Sequence, residues 1–141
     1  MKPDKERIKR FLGEIKKNSL ELEAIIDQNS LKPESLALKA CKYILIELAE
    51  AVSNTLQHIL AKDKGIAVSG YIDTIVKGYD HGVLSKEMFD KLKPFLDFRN
   101  SLIHRYWTVD DDLLIKNILG GRKDFEQFIE EIENYINKTE A

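Results

Sequence analysis

The stretch Lys86-Glu87-Met88-Phe89-Asp90-Lys91-Leu92-Lys93-Pro94-Phe95-Leu96-Asp97-Phe98-Arg99-Asn100-Ser101-Leu102-Ile103-His104-Arg105-Tyr106 decides the fold. Phe89, Leu92, Phe95, Leu96, Leu102 and Ile103 recur at helical spacing and mark one apolar face. On a wheel of about 100° per residue, Arg99 falls near the middle of that face, while Asn100 and His104 lie together at its edge. An unpaired guanidinium in a core is costly. Arg99 therefore either meets a carboxylate or faces an opening that an anion or a second subunit can reach. Ser85 reads as the N-cap of this helix, with Glu87 and Met88 in its first turn and a run to about Tyr106. Pro94 predicts a kink, or a helix that starts again near it.

Outward from this helix the chain repeats the same pattern. Ile8, Phe11, Leu12, Ile15, Leu22, Ile25 and Ile26 form one face of a helix from about Asp4 to Gln28. Asn29-Ser30 break it, and Pro33 suits the first turn of a second helix running to about Lys62. The stripe of that second helix is Leu36, Ala40, Cys41, Ile44, Leu45, Leu48, Val52, Leu56 and Ile59, and Glu47, Asn54 and His58 line its border. A polar border of this kind is either a solvated edge or the source of a partner for Arg99, with Glu47 and Asn54 as the candidates. Asp63-Lys64-Gly65 ends the helix, a short one follows over residues 69–77, and Gly78–Gly82 is a turn. Thr108-Val109-Asp110-Asp111 has the look of a capping box and starts a helix from Asp110 to Leu119. After Gly120-Gly121, Asp124 caps a last helix carrying Phe125, Phe128, Ile129, Ile132 and Ile136. The sum is an all-α fold, an antiparallel up-and-down bundle of four main helices plus one or two short ones, forming a single domain over residues 1–141.

Composition narrows the function classes. Twenty-two Lys and Arg nearly balance twenty-four Asp and Glu, and the formal charge of −2 gives no global attraction to nucleic acid or an anionic membrane. Any RNA contact has to be local. Cys41 is the single cysteine, so an intrachain disulfide and a multi-cysteine metal site are excluded, and core packing is its expected role. The charged N-terminus and the lack of a long apolar run point to a cytoplasmic protein with no membrane contact. His58 and His81 share no metal-ligand spacing with His104, and no glycine-rich phosphate loop is present. No metal and no cofactor are expected.

Two side chains in the opening stretch carry chemistry. His104 sits in the last turn of its helix, where the negative end of the macrodipole favours imidazolium and proton transfer near neutral pH. Arg99 is suited to clamp a phosphate; the plainer reading is a buried ion pair holding two helices together. Asn100 shares a wheel face with His104 and can orient its ring or hold a substrate oxygen. Arg99 and His104 are five apart and about 140° apart on an ideal helix, so they become neighbours only through a bend or across a dimer.

The wording from Phe98 to Asp110 resembles the R-x-x-x-x-H-x-Y signature of HepT-like proteins in the HEPN superfamily, with Arg99, His104 and Tyr106 at the three named positions. The resemblance extends through Lys39-Ala40-Cys41-Lys42-Tyr43, Glu47-Leu48-Ala49-Glu50-Ala51, Gly82-Val83-Leu84 and the helix after Asp124. It implies a metal-independent endoribonuclease toxin whose Arg99 and His104 cleave RNA as a composite site across a homodimer two-fold axis. It also implies a nucleotidyltransferase antitoxin of the MntA type as partner, and Tyr106 as the tyrosine that this partner AMPylates. Added nucleotide phosphates beside Arg99 and His104 would block RNA. Asn100, Glu47 and Asn54 stand as supporting residues, and Arg10, Lys42, Lys93, Arg105 and Arg122 as charges that a dimer can gather at the cleft. The alternative is a non-catalytic helical subunit that presents this surface as a substrate or nucleotide platform to a minimal nucleotidyltransferase.

Overall fold

The described residues form six α-helices, most of whose starts are set by a side chain that satisfies terminal backbone donors. The computed structural model describes residues 3–104 and 109–140, the side chains of Ile103, His104 and Glu140 excepted. The helices are α1 Lys5–Asp27, α2 Leu36–Lys64, α3 Gly70–Asp80, α4 Lys86–His104, α5 Asp111–Gly120 and α6 Asp124–Glu140. Four starts carry a side-chain cap on donors that a helix otherwise leaves unpaired. Asp4 accepts from the Glu6 and Arg7 amides, Ser35 from Leu38, Ser85 from Met88 and Asp110 from Leu113. α2 stops at Gly65, whose φ of 67° is a left-handed conformation that favours glycine.

The four long helices close on one another, α1 on α2, α2 on α4, α4 on α6 and α6 back on α1. Pairwise contacts fix their directions. The start of α1 meets the last third of α2, where the Asp4 amide donates to His58 Nε2 at 2.9 Å. Gly78 and Leu84 lie by Leu56 while Arg99 meets Glu50, so α4 runs against α2. Ser85 bonds Glu131 while Phe95 packs edge-on against Phe125, so α6 runs against α4. Tyr135 donates to Asp63, which brings the last turns of α6 beside the end of α2. This is the up-down-up-down bundle the apolar periodicity predicts. Its centre holds Ile15, Leu48, Leu56, Leu92, Leu96 and Phe128, all fully buried. The segment 65–69 leads back along the bundle with Ile66 and Val68 against the core, and α3 then lies on α2 and α4.

Several boundaries differ from the sequence expectation for local reasons. Pro33 lies in a turn ahead of α2, because Ser35 is the residue that caps it. Leu36 is 83% exposed and Ala40 is exposed too, so the buried stripe of α2 starts at Leu38. α3 continues through Gly78, which lies beside Leu56 and Leu84, to Asp80. α4 runs through Pro94 without a break to His104. Asp110 rather than Thr108 caps α5, Thr108 lying outside the described residues. Asp124 is the first residue of α6 rather than its cap, and its carboxylate stands 3.7 Å from Lys91 Nζ.

Candidate functional site

Arg99 leaves α4 between the buried Leu96 and Leu102, and its guanidinium lies where α2, α3 and α4 come together. Nη2 donates to Glu50 Oε1 at 2.9 Å, and Nη1 donates to Asn100 Oδ1 at 3.2 Å. The guanidinium carbon stands 4.2 Å from the centre of the Tyr71 ring, a cation–π distance. The side chain is only 17% exposed, and its Nε is buried with no hydrogen-bond partner among the described residues. A buried donor left unmade costs about 1–3 kcal/mol. Burial, and then the nearby Glu50 carboxylate, push the Tyr71 phenol up to about 12.

The charge in the apolar stripe thus has a carboxylate partner, and it is Glu50 rather than Glu47 or Asn54. Glu47 lies one turn before Glu50 and Asn54 one turn after it, so the expected line of α2 faces Arg99 but α4 crosses at a different level. Glu47 is half-buried and Asn54 exposed. His58, at the end of that line, is buried against Phe11 and bonded to the Asp4 amide, so it is no solvated edge. Asn100 is exposed and turned to Arg99. His104 is the last residue of α4, about 7.5 Å further along the helix axis than Arg99 by helical rise. Tyr106 and Arg105 lie outside the described residues.

Sequence reasoning did not single out Glu50 or Tyr71 as neighbours of Arg99. The polar line of α2 holds a signal for Glu50; Tyr71 comes from a helix twenty-eight positions earlier in the chain and has no local signal. Two of the basic residues expected at a cleft are engaged within this chain. Lys42 is buried and 3.2 Å from Asp111, and Arg122 is bonded to Glu23 and Asp27. Cys41 is buried, and burial pushes its thiol up to about 11, which suits packing and not a nucleophile. A cleft of about 500 Å³ between α4, α5 and α6, lined by Leu45, Leu92, Phe95, Phe98, Leu114 and Phe125, does not include Arg99. Among the described residues, no three His, Cys, Asp or Glu side chains stand together as a metal site, and no helix is long and apolar enough to cross a membrane.

Comparison with known proteins places this geometry. The family described as Ribonuclease HepT-like matches residues 6–132. A protein of Archaeoglobus fulgidus whose name carries a provisional assignment as an RNase is 28% identical over 82 residues, 58% of this chain and 62% of that protein. The match therefore spans less than two thirds of that relative's length. Among solved structures, the tri-AMPylated HEPN toxin of Shewanella oneidensis in complex with an MNT antitoxin superposes with a TM-score of 0.81 at 20% identity, covering 90% of this chain and 96% of that one. YutE of Bacillus subtilis, described as a cytosolic protein of unknown function, gives 0.83 at 20% identity over 97% of this chain and 93% of that one. A toxin–antitoxin complex named MntA–HpeT gives 0.79 at 19% identity, covering 90% and 97%. At these identities the structures establish the fold.

Proposed function

This chain belongs to the Ribonuclease HepT-like family, and from that premise we propose that it is a metal-independent endoribonuclease, the toxin of a toxin–antitoxin pair. The observation that carries the reading is Arg99, a cation set into the apolar face of α4 about one and a half turns before His104 on the same helix, its Nε without a partner among the described residues. In the reaction, the ribose 2′-oxygen bonds to the adjacent phosphorus as its proton passes to one histidine. The bond from phosphorus to the 5′-oxygen breaks as a second acid protonates the leaving group, and a guanidinium holds the non-bridging oxygens. One chain has a single His104, so the second proton-transfer group is the partner subunit's His104 in a symmetric homodimer. Asn100, bonded to Arg99, sits where it can also meet a substrate oxygen. Glu47 and Asn54 flank Glu50 along α2 and line the approach.

Control, in this proposal, acts at Tyr106. A partner nucleotidyltransferase of the MntA type transfers AMP from ATP: the phenol oxygen bonds to the α-phosphorus as it loses its proton, pyrophosphate leaves, and the added phosphate then competes with RNA for Arg99 and His104. The Shewanella toxin is AMPylated and bound to an MNT antitoxin, which supports the assignment.

The deciding experiment incubates the purified chain with RNA in EDTA, beside the His104→Ala variant, and weighs the intact protein. Cleavage that persists in EDTA and falls by a factor of about 100 or more in the variant is the expected outcome. Absence of cleavage with a mass increase of AMP units on Tyr106 identifies an already neutralised toxin. Unmodified protein that leaves RNA intact would replace this reading with that of a non-catalytic nucleotidyltransferase subunit.

A further inference from the structure

α2 carries a line of side chains whose first half stands open to solvent. Leu36, Ala40, Tyr43, Glu47 and Glu50 follow one another at alternating steps of four and three, so they share one face of the helix. Leu36 at 83% and Tyr43 at 63% are the two most exposed large apolar side chains among the described residues, and Ala40 between them is exposed as well. Apolar side chains scattered singly on a surface mean little; aligned on one helix face beside a half-built site, they mark a contact. The far end of the line is Glu50, which meets Arg99. Because α4 runs against α2, His104, five residues after Arg99, ends α4 at about the level of residue 45 on α2. Tyr43 thus lies within a turn of that level.

The occupant of this face follows from the site. One His104 per chain is half of the proton-transfer pair, and a two-fold axis that brings the second copy to it passes by the end of α4, hence by Tyr43. The charges along the line fit a second α2 lying antiparallel on the first. Lys39 and Glu47 stand four residues before and after Tyr43, about 6 Å each way along the helix axis. Neither makes an ion pair among the described residues. A two-fold centred on Tyr43 sets the level of Lys39 in one copy against that of Glu47 in the other, twice by symmetry. We infer that the Leu36, Ala40, Tyr43 face of α2 is the surface on which two copies of this chain meet, with Tyr43 at the two-fold axis and Lys39 opposite the partner's Glu47. The inference rests on the proposed nuclease reading for its second copy, and it deepens that reading by naming the face that assembles the composite site.

The test follows the dimerisation of the full chain by sedimentation equilibrium. Lys39→Glu and Glu47→Lys each set like charges against one another twice, and each should raise the dimer dissociation constant on the order of tenfold. Lys39 is exposed and Glu47 half-buried, so neither reversal opens the core. Mixed in equal amounts, the two variants should pair as readily as the wild type, since every charge pair between the copies is then opposite in sign. Diamide should link Tyr43→Cys into a disulfide dimer and leave the wild type unlinked, because Cys41 is buried. Failure of the mixture to restore the dimer, or of Tyr43→Cys to cross-link, overturns the inference. So does a wild type that is monomeric alone and loses its nucleotidyltransferase on Tyr43→Ala, which would give this face to that partner. Failure of the nuclease reading looks different: the chain dimerises, exchanges and cross-links as expected, and leaves RNA intact.

Discussion

His58 shows how a single side chain ties two helices and makes their union depend on pH. It is 8% exposed, its Nε2 accepts the Asp4 amide at 2.9 Å, and Phe11 stands edge-on to its ring. Nε2 can accept only in the neutral ring with the proton on Nδ1. Burial is the main cause that holds the imidazole below its ordinary value, with Arg7 and Lys62 adding to it and Asp4 opposing. A depressed histidine binds its proton more weakly folded than unfolded, so its contribution is complete above about pH 6.5 and is lost as pH falls through the lower folded value. Urea unfolding at pH 7 and pH 5 should therefore show the wild type losing stability, and His58→Gln should reduce that loss by on the order of 1 kcal/mol. Equal losses in the two proteins would remove His58 from the account. Asp4, Glu23, Asp73 and Asp111, whose carboxyls are all held below the ordinary range, act lower, below about pH 4.

The start of α2 and its end each hang on one residue. Ser35 Oγ accepts from Leu38 at 3.0 Å, and Ser35→Ala should cost about 1 kcal/mol by chemical denaturation. Gly65 has φ 67° with open space around it, so Gly65→Ala should cost a similar amount through backbone strain alone. Helix positions were legible because apolar periodicity and caps act over a few residues. Ser85 as a cap and the Ile8, Ile15, Leu22 face read correctly from the sequence for that reason, whereas Asp4, taken as the helix start, is the cap that precedes it. Leu36 misled because a leucine in helical register says nothing about which neighbour arrives, and none covers it. At the site, the need of Arg99 for a partner was legible from its place in the stripe. That the partner is Glu50 depends on the level at which α4 crosses α2, and that Tyr71 lies beneath depends on the return of segment 65–69; both are tertiary facts.

Across the bundle, a clasp joins the two helices farthest apart in sequence. Arg122, at the turn into α6, donates through Nε to both Glu23 oxygens, and through Nη2 to Asp27 and again to Glu23. Arg122→Met should lower stability, read as a fall of a few degrees in Tm. The Arg122 hydrogen bond holds the Glu23 carboxyl below its ordinary value, so this contribution is present above about pH 4.3 and disappears as pH falls through the lower folded value. The gap between wild type and variant should close on acidification; a gap that persists at pH 3 would mean the loss comes from packing. An even number of long alternating helices has one more consequence. Asp4 meets His58 and Tyr135 meets Asp63, so both ends of the described chain emerge beside the last two turns of α2, while Arg99 meets α2 at Glu50. Thirteen residues of helix, about 20 Å, separate Glu50 from Asp63. A fluorophore attached beside Asp4 or Tyr135 therefore reports on the half of the bundle away from Arg99 and leaves the surroundings of Glu50 untouched.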